Sequence, residues 1–450
     1  DLGILPHGSN IPNGLRVSAE WSMENNKASL VVCTSTLAQG VNLPIKYLII
    51  SSTAQGKDKI STRDFHNLIG RGGRAGYHTE GSVIFANTKL YDERLTYRGR
   101  LRWSETRSLL DPSNSEACVS SLKSLIEPIR FGVDLLDPIE FIKDPNSFRE
   151  LCLEAAEDND LTEQELKDFL FNISSRDRTI QAVESYMMSY LKDVTSEQNE
   201  DIFLSLAKGT LAHHLCDEEE KNLLVEAFEL IYKSVANVQT DKLPFYGKAL
   251  LGIQDLEFIE EWLEDNYEPL SEQKDIYELF KFIWPLLLDV CRNELFKKLS
   301  PLEVVLESSC LWIFNFMDEK KIRYQAGSQS RKVTMDQIVK YTNNTLGYDA
   351  MLIVGALADL CNGKYKNEEL EENLKLLQNS LKLGLPNNFE LWLHSKGYVD
   401  REICKLLSKA FRGAGINTDS FKSNILETNS ELVSKVVSEM PTYFSQIQVK

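Results

Sequence analysis

The sequence predicts an α/β lobe with a parallel sheet over roughly the first 95 residues, followed by a mostly α-helical region. Three observations carry this. Apolar runs that do not alternate with polar residues recur early: Ser29-Leu30-Val31-Val32-Cys33, Tyr47-Leu48-Ile49-Ile50 and Gly81-Ser82-Val83-Ile84-Phe85-Ala86. Runs of this kind, separated by turn or helix segments, are expected of parallel strands buried on both faces. Glycines cluster in the same stretch, and beyond about residue 100 the period changes to that of helices.

The helical part announces its starts. Thr162 with Glu165, Thr195 with Gln198, and Thr334 with Gln337 have capping-box spacing. Ser300-Pro301-Leu302-Glu303 places Pro at a first helical position. Leu223, Leu224, Ala227, Leu230, Ile231 and Val235 recur as one apolar face. Asp217-Glu218-Glu219-Glu220 reads as an acidic helix start, where carboxylates suit the helix dipole. Pro386-Asn387-Asn388 marks a late break, and no fixed-period repeat is present. The expected division is a lobe over 1–95, a connector over 96–150, helical domains over 151–295 and 296–385, and a small helical domain over 386–450.

Bulk properties bound the function. The chain has 450 residues, 42% of them hydrophobic, which is enough for two to four cored domains. No apolar run reaches the roughly 18 residues that suggest a membrane span, and Asp1-Leu2-Gly3-Ile4-Leu5 lacks a signal-peptide pattern. With no initial Met, the chain is expected to begin inside a longer, cytoplasmic protein. Eight cysteines are scattered without C-x-x-C spacing, as expected of reduced, buried thiols. The net charge of −17 excludes a surface that is basic throughout, although a local basic groove remains compatible with nucleic acid.

Two motifs carry chemistry. Thr34-Ser35-Thr36-Leu37-Ala38-Gln39-Gly40-Val41-Asn42-Leu43-Pro44 follows an apolar strand directly. Hydroxyls and backbone N–H groups at a strand end can hold a phosphate, and Gly40 permits close backbone approach. A plain strand-to-helix turn, with Thr34 or Ser35 as cap, is the alternative. The second motif is Asn67-Leu68-Ile69-Gly70-Arg71-Gly72-Gly73-Arg74-Ala75-Gly76. Its arginines, three apart, are expected on one helical face. Guanidinium groups fork onto phosphate oxygens and suit the charge that develops in phosphoryl transfer. The alternative is a glycine-rich surface loop.

Together the two motifs resemble the second RecA-like lobe of superfamily 2 helicases, most closely the Ski-like DExH branch. The first run resembles helicase motif V and the second motif VI. His7-Gly8, Arg16 and Glu20 resemble the His-x-Gly and Arg-x-x-x-Glu positions that precede motif V. The resemblance implies that Thr34, with Ser35 and Thr36, touches the nucleic-acid backbone, and that His7 lines the strand path. It places Gly40, Asn42, Asn67, Gly70 and Gly73 at the nucleotide, and Arg71 and Arg74 at the γ-phosphate as catalytic groups. Two positions depart from the family: Asn67 stands where Gln is usual, and Gly72 where Ala is usual.

There is no G-x-x-x-x-G-K-[ST] and no DExH box. ATP and Mg²⁺ are therefore expected to be held mainly by a first RecA-like lobe N-terminal to Asp1, and the chain alone is expected to be inactive. The implied function is ATP-dependent helicase or translocase action on single-stranded or duplex nucleic acid. The implied partners are the first lobe of the same protein and a protein such as a nuclease, with no membrane. Other readings of the sequence are a non-catalytic helicase-like scaffold, or the helicase of a bacterial defence system beside a nuclease.

Weaker signals remain. The connector could be winged-helix-like. Arg94, Arg98, Arg100, Arg102 and Arg107 interleave with Tyr97 and Trp103, a pattern able to hold single strands. A solvated connector helix whose Trp packs on the lobe is the plainer expectation. His213 and His214 are adjacent and lack a second ligand pair, so no metal is expected there. Leu391-Trp392-Leu393 and Arg412-Gly413-Ala414-Gly415-Ile416 suit a small packing domain at the end of the chain.

Overall fold

The computed structural model describes residues 3–8, 11, 13–34, 45–55, 58–73, 80–158, 161–191, 202–291, 293, 295–300, 302–310, 322–326 and 329–447. The chain separates into two compact units, one formed by residues 1–118 with 387–450, the other by residues 119–386.

The first unit opens with strand β1 (Ile4–His7), helix α1 (Asn13–Glu24) and strand β2 (Leu30–Cys33). The two strands pair in parallel, with Ile4 opposite Leu30 and His7 opposite Cys33. Strand β3 (Tyr47–Ile50) leads through a small hairpin, β4 (Ala54–Gln55) and β5 (Asp58–Lys59), into helix α2 (Thr62–Ile69) and strand β6 (Ser82–Phe85). Strands β3 and β6 are also parallel, Tyr47 opposite Ser82 and Ile50 opposite Phe85. Parallel partners need a crossover, and α1 and α2 supply it in the two pairs. An apolar cluster of Ile45, Leu48, Ile50, Ile60, Phe65 and Leu109, with Cys33, Leu68, Ile69 and Phe85 against it, joins strands from both pairs.

Burial on both faces of the strands is not what the structure has. Along β3 exposure alternates: Leu48 and Ile50 are buried while Tyr47 and Ile49 are 59% and 57% exposed. Ile4, Leu30, Val32, Val83 and Ile84 are also exposed. Successive side chains of a strand point to opposite faces, and only one face meets the cluster.

The same unit contains α3 (Thr88–Asp92), α4 (Tyr97–Ser108) and the C-terminal helices Asn388–Ser395, Arg401–Gly413 and Ser430–Val437. Phe389, Leu393, Tyr398, Leu407 and Phe411 are buried among the C-terminal helices.

The second unit is mostly helical. Its longest helix, Glu163–Leu191, buries Phe169, Ile173, Arg176, Ile180, Val183 and Met187, a stripe at alternating spacings of four and three. Arg176 is tolerated in that stripe because its guanidinium donates to the carbonyls of Ser124 and Pro128 and to the Asn172 side chain. Burial lowers its pKa from the ordinary value. Helix Glu218–Ala236 starts at Asp217, which forms a capping box with Glu220, and buries Leu224, Ala227, Phe228, Ile231 and Val235. Leu223 and Leu230 are only partly buried. Thr334 and Gln337 form the expected box, as do Thr162 and Glu165. Thr195 to Gln198 and Pro301 lie outside the described residues. Among the described cysteines none is in a disulfide; five are buried, Cys33 is half-buried and Cys118, against expectation, is exposed. No helix among the described residues is long and apolar enough to cross a membrane.

Candidate nucleotide and nucleic-acid interface

The first motif begins at the carboxyl end of β2, where open parallel sheets present ligands. The parallel register places that end beside the end of β1. The Thr34 N–H donates to the His7 carbonyl at 3.3 Å, and a Cβ built on Gly8 would stand 3.3 Å from Thr34 Oγ1. His7, Gly8 and Thr34 thus share one strand edge. His7 is buried at 4% exposure, and its Nε2 lies 2.9 Å from Glu20 Oε1 on α1. Its Nδ1 is buried with no partner among the described residues. Arg16, one turn before Glu20, donates to Asn13. Ser35, Thr36, Gly40 and Asn42 lie outside the described residues.

The second motif is built on α2. Ser61 caps the helix by accepting from the Asp64 N–H. Glu116, far along the chain, accepts from the N–H groups of Thr62 and Arg63 at 2.9 and 3.2 Å. Its own backbone N–H and those two hold its carboxyl below the usual range. Phe65 buries the inner face, and Asn67 and Gly70 stay exposed at the helix end. The helix stops at Ile69, so Arg71 sits in the following turn and not on a helical face. Arg71 and Gly72 donate to the carbonyls of Leu68 and Ile69, tightening the last turn. Arg74 lies outside the described residues.

What shapes this turn is a close approach of two glycines. Gly73 has φ +71°, and a Cβ on it would meet the Gly81 nitrogen at 2.5 Å; one on Gly81 would meet the Gly73 nitrogen at 2.2 Å. The turn is then bonded to the residue that follows the first motif. Ile45 bridges Gly72 in parallel, and the Gly73 N–H donates to the Ile45 carbonyl at 2.8 Å. The structure therefore brings Ile45, the residue after the first motif, against the glycine turn of the second, while Thr34, which opens the first motif, lies at the His7 strand edge.

Sequence reasoning did not find the roles of Gly81 or Glu116. The sequence marks Gly81 only as the start of a strand, and no local signal connects Glu116 to a helix whose bonded residues lie more than 50 positions earlier. The backbone N–H groups of Gly70, Arg71, Gly72 and Gly73 all donate within the protein, so the groups here that suit phosphate oxygens are the Asn67 side-chain amide and the Arg71 guanidinium.

No protein-family model matches the chain. Over 85 residues it is 39% identical to Hachiman protein HamB of Bacillus cereus, covering 19% of this chain and 8% of that protein. It is 31% identical over 122 residues to Helicase POLQ-like of Caenorhabditis elegans, covering 27% of this chain and 12% of that one. It is 33% identical over 93 residues to ATP-dependent DNA helicase Hel308 of Thermoplasma volcanium, covering 18% and 14%. The chain thus spans between 8% and 14% of the length of these curated relatives. Over that shared stretch it is related to helicases.

Proposed function

We propose that the chain is the C-terminal part of an ATP-dependent superfamily 2 helicase or translocase of the Ski-like DExH branch, supplying motifs V and VI. The observation that carries this is the joint between the motifs: Gly72 and Gly73 bonded to Ile45, directly after the first run. One segment then connects a strand-binding edge at His7, Gly8 and Thr34 to a nucleotide-facing turn at Asn67, Gly70, Arg71 and Gly73, so occupancy of one can bias the other. The helicase relatives support a helicase-related function.

In this mechanism a first RecA-like lobe holds ATP and Mg²⁺. Closure of the two lobes brings Arg71 and Arg74 to the γ-phosphate, where their fixed positive charge stabilises the charge of the transition state. Thr34, with Ser35 and Thr36, holds the backbone of the strand. Gly40 and Asn42 carry the signal between them.

The test uses the protein that contains this chain together with its first lobe. ATP hydrolysis should be stimulated by single-stranded DNA or RNA, and Arg74→Ala should lower turnover on the order of 10³-fold while ATP binding weakens far less. Arg74→Lys should rescue poorly, because a point charge cannot fork onto two oxygens. The 450-residue chain alone should not hydrolyse ATP. Turnover by the isolated chain, or near-normal turnover by Arg74→Lys, would refute the assignment. Absence of stimulation by any strand would favour the scaffold function.

A further inference from the structure

Helix α4 is an exposed helix that turns Tyr97 and Leu101 outward. At 3.6 residues per turn, Tyr97, Leu101, Ser104 and Ser108 form one stripe. All four are exposed, Tyr97 by 87% and Leu101 by 60%. The opposite side holds Gly99, buried, and Trp103, half-buried. Arg98 and Arg102 flank the stripe on one side, Arg100 and Arg107 on the other, and all four are exposed. No ion pair or side-chain hydrogen bond engages them among the described residues, whereas the acidic Glu105 is paired with Lys59.

The base of this surface is held firmly. A Cβ on Gly99 would collide with the Glu93 carbonyl, so α4 lies tight on the turn that ends α3. Trp103 meets Tyr91 edge-on at 5.5 Å, and the Arg94 guanidinium lies 3.7 Å from the Tyr91 ring centre. From Lys89 to Arg107 there are six basic and three acidic side chains, in a chain whose net charge is −17.

We propose that α4 is a docking surface for single-stranded nucleic acid, with bases against Tyr97 and Leu101 and phosphates on Arg98, Arg100, Arg102 and Arg107. Exposed base faces stack on aromatic rings while guanidinium groups take the backbone. A duplex hides its base faces, and an acidic peptide would use the arginines and leave Tyr97 without a role. The proposal deepens the helicase function and rests on it for the nature of the substrate. It adds a strand contact separate from the one at Thr34.

The experiment is anisotropy titration of the 450-residue chain against labelled oligothymidine and oligouridine of about 20 nucleotides, across a salt series. Tyr97→Ala should weaken binding roughly 5- to 100-fold and Tyr97→Phe should preserve it. Arg98→Ala with Arg102→Ala should flatten the slope of log affinity against log salt by about 1.4, for two lost phosphate contacts on a single strand. All these residues are exposed, so unchanged circular dichroism melts are expected. No strand binding by the wild type, or variants indistinguishable from it, would overturn the proposal. So would polyglutamate competing as well as the strand, with Tyr97→Ala silent, which would mark an acidic protein partner. Strand-stimulated ATPase of the longer protein separates the two claims: stimulation at an unchanged strand concentration in the α4 variants refutes this surface alone, and no stimulation in the wild type refutes the helicase function.

Discussion

Replacing Gly73 by Ala should break the joint between the two motifs, whereas the same change one residue earlier should be harmless. Gly73 has φ +71°, where an L side chain costs about 1–2 kcal/mol. Its Cβ would also stand 2.5 Å from the Gly81 nitrogen and 2.8 Å from Gly81 Cα, so backbone must shift. Overpacking of that kind costs roughly 1–3 kcal/mol. The total, on the order of 3 kcal/mol, is about a hundredfold in the opening equilibrium of the turn. A Cβ on Gly72, by contrast, meets Ile69 O at 3.5 Å and Val83 Cγ2 at 3.8 Å, which are ordinary contacts. Gly72→Ala should be neutral, or stabilising by about 0.4–1 kcal/mol through the unfolded chain.

Because the chain has two units, a global melting temperature would mix them, and the assay is native-state amide exchange. The reporters are the amide of residue 73, which donates to Ile45 O at 2.8 Å, and that of Ser82, which donates to Lys46 O at 3.0 Å. Both should exchange about a hundredfold faster in Gly73→Ala. They should hold or slow in Gly72→Ala, with amides of helix Glu218–Ala236 unchanged in both. Equal protection in the two variants would refute the reasoning.

Thr34→Val keeps the branching at the strand edge and removes the hydroxyl; in the longer protein, basal ATP turnover should persist while strand stimulation shifts to higher strand concentration, by about 1 kcal/mol in affinity at fixed salt. Asp217→Ala removes the cap of helix Glu218–Ala236 and should lower the stability of the second unit by about 1 kcal/mol in urea unfolding. Glu260 should make that unit acid-sensitive. Burial alone would raise its carboxyl, but hydrogen bonds from Lys242 at 2.7 Å and the Tyr246 hydroxyl at 2.8 Å outweigh this and hold it below the ordinary 4.5. A carboxyl whose folded pKa is depressed contributes fully above its unfolded pKa and loses that contribution as pH falls through the folded value. The urea midpoint should therefore fall below about pH 4.5 in the wild type and less steeply in Glu260→Gln, and parallel pH profiles would contradict the network's role.

Local chemistry determined much of this protein from the sequence alone. The starts at Thr162 and Thr334 were legible because a cap is made between residues three apart, and the one after Asp217 because acidic residues suit a helix N-terminus; that Asp217 forms a capping box with Glu220 came from the structure. The apolar face of Glu218–Ala236 was legible because a helix repeats its faces every 3.6 residues; Phe228 belongs to it as well. The split into an α/β lobe and a mostly helical region followed from the change of period.

What the tertiary structure alone decided involves partners distant in sequence. An apolar strand does not reveal which faces will be covered, so Tyr47 and Ile49 are exposed where burial was expected. Helix α2 receives a carboxylate from Glu116, and His7 meets Glu20 only because β1 and α1 pack together. The turn after Ile69 is shaped by Gly81, whose contact with Gly73 depends on β6 returning beside β3. Chain spacing records none of these contacts, because each depends on how separated segments pack: the Gly73–Gly81 approach on the parallel crossover between β3 and β6, the Glu116 bonds on a distant segment returning to α2.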